Sequence, residues 1–407
     1  MTSHLHLFQG YGVELEYMIV NKQSLKVNPI CDEVIKSIEG NYTSDTEFEN
    51  IGWSNEIVLH VIELKTPDPV KSLIGLESDF IKSVSKINDI LKEYNSILLP
   101  SGSHPLMDPF TETKLWPHEH NDVYESYDRI FGCKGHGWSN LQSIHLNLPF
   151  SGDEEFGRLH SAIRLLLPLI PALTASSPIL DGKFTGYKDM RLSVYQKNQN
   201  KIPIITGDII PERAFTKADY EEIIFKNIFK EIAHYDTDNI LQFEWLNSRG
   251  VIARFDRNAF EIRIIDIQEA PIVDVAIVFV IVETLKNLVN ENWISYEKQK
   301  KWSEKTLASI FQKVIKDAEL TTIDNFDYLK IFGIKEETSA NNLWGKLIEG
   351  IDFSGYGNYK KIIDKIMTKG TLATRIINNL GNDLSQKNIL SVYNKLANCL
   401  AGNKFFE

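Results

Sequence analysis

Near residue 270 the spacing of apolar residues changes, and this change limits the fold more than any other feature of the chain. Before it, apolar residues alternate in short runs: Gly12–Val20, Ile57–Thr66, Ser96–Leu99, Gln142–Leu148, Val251–Phe255 and Phe260–Ile267. A period of two is that of strands buried on one face. After it, in Lys298–Ala318, Asn341–Gly350, Tyr359–Lys369 and Lys387–Leu400, they recur three and four apart, as on amphipathic helices. Strands separated by long, partly helical segments and followed by helices predict an α+β fold with an antiparallel or mixed sheet, not a regular βαβ array. Leu73–Tyr94 and Phe156–Leu173 are expected to be helices covering the buried face, the second kinked or stopped by Pro168 and Pro171. Pro271–Asn290 is apolar on most sides and predicts a core helix. A soft boundary after it divides the chain into residues 1–290 and a helical region, 291–407, packed on them.

Alternation also sorts the polar residues. In the first run Val13, Leu15, Tyr17 and Ile19 face one way and Gly12, Glu14, Glu16 and Met18 the other, which stacks two carboxylates on one side. Such a pair repels unless a cation, Lys or Arg neutralises it; a hard divalent metal does so economically, and a solvent-facing strand is the plain alternative. Val61, Glu63 and Lys65 likewise share a face, with Glu63 either a metal ligand or the partner of a cation such as Lys65. Glu56 has the opposite parity and joins Glu63 only if the chain turns or bulges between them. In Gln142–Leu148 the row Ser143, His145, Asn147 is backed by Ile144, Leu146 and Leu148. An imidazole there binds metal, hydrogen-bonds a phosphate oxygen, or is a satisfied structural group. Val251–Ile267 reads as a hairpin about Asp256-Arg257-Asn258 that gathers Arg254, Arg257, Glu261, Arg263 and Asp266. Glu261 and Arg263 share a face, where a carboxylate can hold a metal while the guanidinium grips the phosphate bound to it; a cross-strand ion-pair ladder is the other reading.

Composition narrows the partners. With 55 acidic against 44 basic residues the net charge is -11, which offers no general attraction for nucleic acid or anionic lipid. Three scattered cysteines, Cys31, Cys133 and Cys399, form neither a disulfide framework nor a CxxC site and fit a reducing cytoplasm. The opening MTSHLHLFQGYG lacks the basic start and apolar stretch of a secretory signal, and Ile272–Val282, broken by Asp274, is well short of the ~20 residues that span a bilayer. No P-loop, GxGxxG after a strand, HExxH or GxSxG occurs.

Taken in order, Gly12-Val-Glu-Leu-Glu16, Glu56 with Glu63-Leu-Lys-Thr66, Ser101-Gly-Ser-His-Pro105, Gln142-Ser-Ile-His-Leu-Asn147, Ala175-Ser-Ser-Pro178 with Asp189 and Arg191, and Phe260-Glu-Ile-Arg-Ile-Ile-Asp266 resemble the glutamate-cysteine ligase family, its bacterial second type and the related carboxylate-amine ligases. The resemblance spans about residues 10–270. It implies a glutamine-synthetase-like fold whose antiparallel sheet forms an open barrel around ATP and Mg2+ or Mn2+, carried by residues 1–290. It maps Glu14, Glu16, Glu56, Glu63, His145 and Glu261 onto metal positions and Arg263, with Glu261, onto the catalytic phosphate grip; beside these, Arg191, Arg254 and Asn147 are candidates for substrate or phosphate contacts, with a surface ion pair to Asp189 as the plain alternative for Arg191. The chemistry implied is phosphorylation of the glutamate side-chain carboxylate by ATP and displacement of phosphate by an amine, that of cysteine in the namesake, in the setting of glutathione biosynthesis. Many relatives carry a His-x-His pair followed by Gly where this chain has Ser143-Ile-His-Leu-Asn-Leu-Pro149, which leaves the acceptor amine open. Three alternatives stand beside this reading: a ligase for another amine, a non-catalytic nucleotide- or amino-acid-binding relative, and a zinc hydrolase using some of His60, His104, His118, His120, His136 and His145, whose spacing matches no common zinc motif.

Overall fold

A computed structural model describes residues 5–407. Of the N-terminal stretch read above for a secretory signal, residues 1–4 lie outside the described ones. The strands are β1 (Gly12–Asn21), β2 (Asp45–Phe48), β3 (Ile51–Asn55), β4 (Val61–Lys65), β5 (Ser96–Leu99), β6 (Ser143–Pro149), β7 (Ile179–Leu180), β8 (Lys183–Phe184), β9 (Val251–Arg254), β10 (Ala259–Asp266), β11 (Thr322–Ile323) and β12 (Thr338–Ser339). Eight of them form one sheet in the order β2-β3-β4-β1-β6-β10-β9, with β5 also paired to β1. Every ladder of this sheet is antiparallel, so of the two arrangements expected the antiparallel one is realised. The sheet is open, as the reading of an open barrel required: β2 and β9 end the path without pairing to each other.

The alternation in β1 does what period two predicts. Val13, Leu15, Tyr17 and Ile19 are fully buried in a core shared with Phe80, Val84 and Ile87 of the helix Leu76–Leu91 and with Leu159 and Ile163 of the helix Gly152–Leu166. The second helix stops at Leu166, and Pro168 falls in a following 3-10 turn before a short helix opens on Pro171, where a missing N–H is tolerated. Pro271–Val289 is the expected core helix; Asp274, the one charge in its apolar run, is buried and accepts hydrogen bonds from the Gln268 N–H at 2.8 Å and the Tyr17 hydroxyl at 3.3 Å. The same core continues through Leu307, Trp344 and Ile363 of the C-terminal helices.

Three readings are corrected. Ile57–Thr66 is not one strand: β3 ends at Asn55, residues 57–60 turn away from the sheet, and only Val61–Lys65 is extended. That turn is what brings Glu56, of the wrong parity, back toward Glu63. Lys298–Ala318 is two helices, Tyr296–Gln299 and Glu304–Asp317, the second capped by the Ser303 hydroxyl accepting from the Thr306 N–H. The helix Asn121–Phe131, which the acidic and amide residues of that stretch disguise, had no counterpart in the sequence reading.

Candidate active site

On the polar face of the sheet, register rather than sequence distance decides which side chains meet. Glu14 lies opposite His145 on β6 and Lys65 on β4, Glu16 opposite Glu63, and Glu261 opposite Asn147. Among the described residues, one group of three brings potential ligand atoms together: those of Glu14, Glu63 and His145 all lie within 4.8 Å of one another. His145 Nδ1–H donates to Glu14 Oε2 at 2.9 Å, and its Nε2 is 3.1 Å from Ser143 Oγ, which donates in turn to Glu16 Oε2 at 2.9 Å. The Ser143 N–H reaches the same Glu16 oxygen at 2.6 Å. Asn147 Nδ2 donates to Glu14 Oε1 at 2.9 Å, while its own buried Oδ1 has no hydrogen-bond partner. Lys65 Nζ donates to Glu63 Oε2 at 3.0 Å and the Ser54 hydroxyl bonds the same oxygen.

Burial and neighbours then separate the charges. Burial alone would raise Glu14, but the hydrogen bond and charge of His145 hold it well below the usual carboxylate range. Burial would lower His145; the bond to Glu14 and the charges of Glu16, Glu14 and Glu261 outweigh it and lift the ring to about 9. Glu63 is pushed up to about 7 by burial and by the charge of Glu14, and Glu56 is pushed well up by burial beside Glu16 and Glu63.

The second half of the site is the β9–β10 hairpin. Arg263 Nε donates to Glu261 Oε1 at 2.5 Å and Arg254 Nη1 to Glu261 Oε2 at 3.1 Å, while Arg254 also grips Asp256 through Nε and Nη2 at 3.2 and 3.0 Å. Burial would raise Glu261, yet Arg263 keeps it below its ordinary range. Between Ile262 and Ile265 the register of β10 against β6 slips, a bulge that returns Asp266, of even parity, to the face of its partner Ser143. There Asp266 takes the Arg191 Nε, and Arg191 Nη1 and Nη2 both donate to the Arg263 carbonyl at 3.3 Å. Asp189, the alternative partner for Arg191, instead caps its own helix, Met190–Tyr195, by accepting from the Leu192 N–H at 2.9 Å.

Three cavities meet over this face. An inner one of about 200 Å3 lies at the Glu16 and Ser143 end, with Arg191 and Arg263 in its wall. A middle one of about 570 Å3 holds Glu14, Glu56, Glu63, His145 and Glu261. A third, about 550 Å3, meets Glu14 from the Gly12 and Asn147 end and is bordered by Lys65 and Arg257. A Cβ on Gly12 would come within 2.9 Å of the Asn147 Cβ, so glycine is what lets Asn147 lean across β1 to Glu14. All ten residues singled out from sequence therefore line this face or its cavities; Glu56, Arg191 and Arg254 reach it from loop, helix and edge strand. Sequence reasoning missed Ser54, Asp266 as the anchor of Arg191, and the aromatic wall of Tyr124, Tyr127, Trp138 and Trp245. The recurrence of Val123, Tyr127 and Ile130 three and four apart was the available signal for the helix that carries two of these. Of the histidines considered for zinc, only His145 joins the ligand group; His60 and His104 are buried against the Ser139 and Leu25 carbonyls at 2.8 and 2.7 Å.

An oxygen-rich set with one imidazole, an unsatisfied buried amide oxygen beside it and two guanidiniums on the flank fits a hard divalent cation with a bound phosphate. The model of glutamate-cysteine ligase family 2 matches residues 11–315, and the chain belongs to that family. An uncharacterized protein of Archaeoglobus fulgidus is 32% identical over 401 residues, 97% of this chain and 99% of its own length. A Rhodopirellula baltica protein provisionally named glutamate–cysteine ligase 2 is 29% identical over 192 residues, 45% of this chain and 47% of that protein, so the match to this named relative spans about half of each. Among solved structures, the glutamate–cysteine ligase of Francisella tularensis in complex with AMP superposes with a TM-score of 0.57 at 14% identity, over 97% of this chain and 90% of that one. The bifunctional glutathione synthetase of Pasteurella multocida gives 0.61 at 15%, over 96% of this chain and 53% of that one; both likenesses speak for the fold. No described helix is long and apolar enough to cross a membrane.

Proposed function

We propose that the chain forms a γ-glutamyl amide from glutamate and an amine at the expense of ATP, through γ-glutamyl phosphate. The observation that carries this is the convergence of Glu14, Glu63 and His145 with the Glu261–Arg263 pair at the mouth of a small cavity containing a second, buried arginine. Glu14, Glu63 and His145, with Glu16, Glu56 and Glu261 around them, are the residues to hold Mg2+ or Mn2+. Bound there, the cation would neutralise charge on the phosphates as the γ-phosphoryl moves. Arg263 donates to Glu261 through Nε and is the group to grip the transferring phosphoryl; Arg254 holds the far oxygen of Glu261 and keeps that carboxylate in place. Arg191, fixed by Asp266 and the Arg263 carbonyl, is the cation to meet the α-carboxylate of glutamate. Asn147 fixes Glu14 through Nδ2 and leaves Oδ1, an acceptor, for the cation.

Cavity sizes support the division of labour. Pockets for drug-sized ligands run roughly 300–1,000 Å3. The space of about 550 Å3 beyond Glu14 suits a nucleotide, and the inner one of about 200 Å3 suits an amino acid. Positioning and charge neutralisation are what phosphoryl transfer needs, so the lack of a nucleophilic triad is no obstacle. Cysteine is the acceptor that the names of the relatives carry and the first to test. In this reading residues 1–290 do the chemistry, 291–407 brace them, and the three free cysteines suit work in the cytoplasm. The test is hydroxylamine trapping: with glutamate, ATP and magnesium the enzyme should yield the γ-hydroxamate and ADP. An α-hydroxamate, or ADP formation independent of glutamate, would refute the proposal.

A further inference from the structure

Two side-chain atoms in the wall of the inner cavity are buried without a hydrogen-bond partner, Tyr195 Oη and Trp138 Nε1. Ser143, Asn198 and Gln199 of the same wall are engaged: Ser143 Oγ donates to Glu16, Asn198 Nδ2 to the Gly137 carbonyl, and Gln199 Nε2 to Ser248 Oγ at 2.7 Å. A buried hydroxyl without an acceptor is destabilising, and an acceptor that arrives with the substrate accounts for its place in a cavity wall.

Of the two, Tyr195 is tied to both arginines of the cavity. It closes the helix Met190–Tyr195 one turn after Arg191, and residues four apart share a helical face. It also stands beside Arg263: burial alone would lower that guanidinium, and the charge of Glu261, followed by Tyr195, outweighs it. A guanidinium carries donors only, so Arg263 can meet the phenol oxygen but cannot accept its proton. The O–H is therefore left for a third group. Asp189 caps the start of the helix, and Asn198, just past its end, holds the Gly137 carbonyl, so the hydroxyl is carried by an element fixed at both ends. In a glutamate held by Arg191 at its α-carboxylate and by Arg263 at its phosphorylated end, the acceptor that meets this O–H is the γ-carboxyl oxygen that carries no phosphoryl group.

We propose that Tyr195 is a catalytic residue of amide formation, its hydroxyl donating to the γ-carbonyl oxygen of γ-glutamyl phosphate as the amine attacks. The inference rests on the γ-glutamyl phosphate reading and adds to it the donor for the charge that develops on that oxygen. The ammonium of the acceptor first gives a proton to water. The amine nitrogen then forms the C–N bond, and the carbonyl π pair moves onto the oxygen that Tyr195 holds. The pair returns, the C–O bond to phosphate breaks with its electrons on phosphate, and the surplus proton on nitrogen passes to the departing phosphate. Tyr195 donates a hydrogen bond and keeps its own proton. A preorganised donor at such an oxygen is worth about 10²–10³ in rate.

Tyr195→Phe deletes the oxygen and keeps the ring. With enzyme in excess, two first-turnover rates are measured in the presence of glutamate, ATP and magnesium: ADP formation without amine, and γ-hydroxamate formation with saturating hydroxylamine. The KM for glutamate and the unfolding temperature are measured beside them. The γ-hydroxamate should form at least about tenfold more slowly than in the unchanged protein. ADP formation and KM should each stay within about threefold, because the bond strengthens only as the amine attacks. The unfolding temperature should be equal or higher, since a buried hydroxyl without a partner has been removed. A smaller effect on the γ-hydroxamate, equal slowing of both rates, a raised KM at unchanged rates, or a lower unfolding temperature each overturns the inference and leaves the ligase reading standing. Absence of the γ-hydroxamate from the unchanged protein overturns both.

Discussion

Glu14 and Glu63, on adjacent strands with carboxylate oxygens no more than 4.8 Å apart, titrate in opposite directions. His145 stabilises the charge on the first, and that charge, together with burial, penalises the second. A divalent cation between them removes the repulsion. Magnesium or manganese should therefore raise the unfolding temperature, with about 2.7 kcal/mol gained at 100 times Kd, and Glu63→Gln should abolish most of the gain. Differential scanning fluorimetry with and without chelator reads this independently of activity. Chelation should also stop ADP formation, and full turnover by metal-free protein would sink the metal assignment.

Glu14→Gln and Glu261→Gln keep shape and remove charge. Each should lower ligase turnover by at least about a hundredfold, as loss of a preorganised charge at a phosphoryl site does. Their stabilities should differ. Glu14→Gln relieves repulsion with Glu63 but takes the carboxylate partner from His145, two opposed effects, whereas Glu261→Gln leaves Arg254 and Arg263 without their shared counter-charge and should cost about 3 kcal/mol or more in urea unfolding. Normal activity in both would return these residues to a structural ladder.

Arg263→Lys should not restore function. Nε donates to Glu261 while the guanidinium also lines the inner cavity, and one ammonium cannot do both. Steady-state ADP release should fall at least about a hundredfold; near-normal release would mean that only net charge matters there.

His160 gives a pH prediction outside the site. Its Nδ1–H donates to the Ala214 carbonyl at 2.6 Å, its ring stacks on Phe260, and burial depresses it to about 3. The folded value lies below the unfolded one near 6.5, so above pH 6.5 neither state holds the extra proton. As pH falls below that, the unfolded chain takes up a proton that the folded chain refuses. Stability should then drop by up to about 1.4 kcal/mol per pH unit from this group until its folded value is reached. The slope of unfolding free energy against pH between 6 and 4 should be shallower by nearly one proton in His160→Gln; an unchanged slope would refute the assignment.

How much of this the sequence carried depends on whether a residue's role is local to its strand. Glu14, Glu16, His145, Asn147, Glu261 and Arg263 were legible because period two assigns a face within a single run. Glu56 was legible only as a condition, since a turn at residues 57–60 had to be assumed. Arg191 was identified without its true partner: Asp266 is 75 positions away, and a bulge decides that it faces the same way. The aromatic wall was invisible because no period marks residues that meet from the helix Asn121–Phe131, the short helix His136–Ser139 and the turn at Glu244–Leu246.

The contact between Arg191 and the Arg263 carbonyl makes the site a caliper. One jaw is the guanidinium of Arg263 and the other that of Arg191, and because the second is bonded to the backbone that carries the first, the gap between them is set by covalent geometry and two hydrogen bonds of 3.3 Å. In the proposed ligase a dicarboxylic acid must reach from one jaw to the other to be phosphorylated at its far end. A misplacement of 1 Å can cost on the order of 10²-fold in rate. Aspartate, one methylene shorter than glutamate, should then be a poorer substrate of the proposed ligase, and the bulged strand that assembles the site would also gauge the length of the acid.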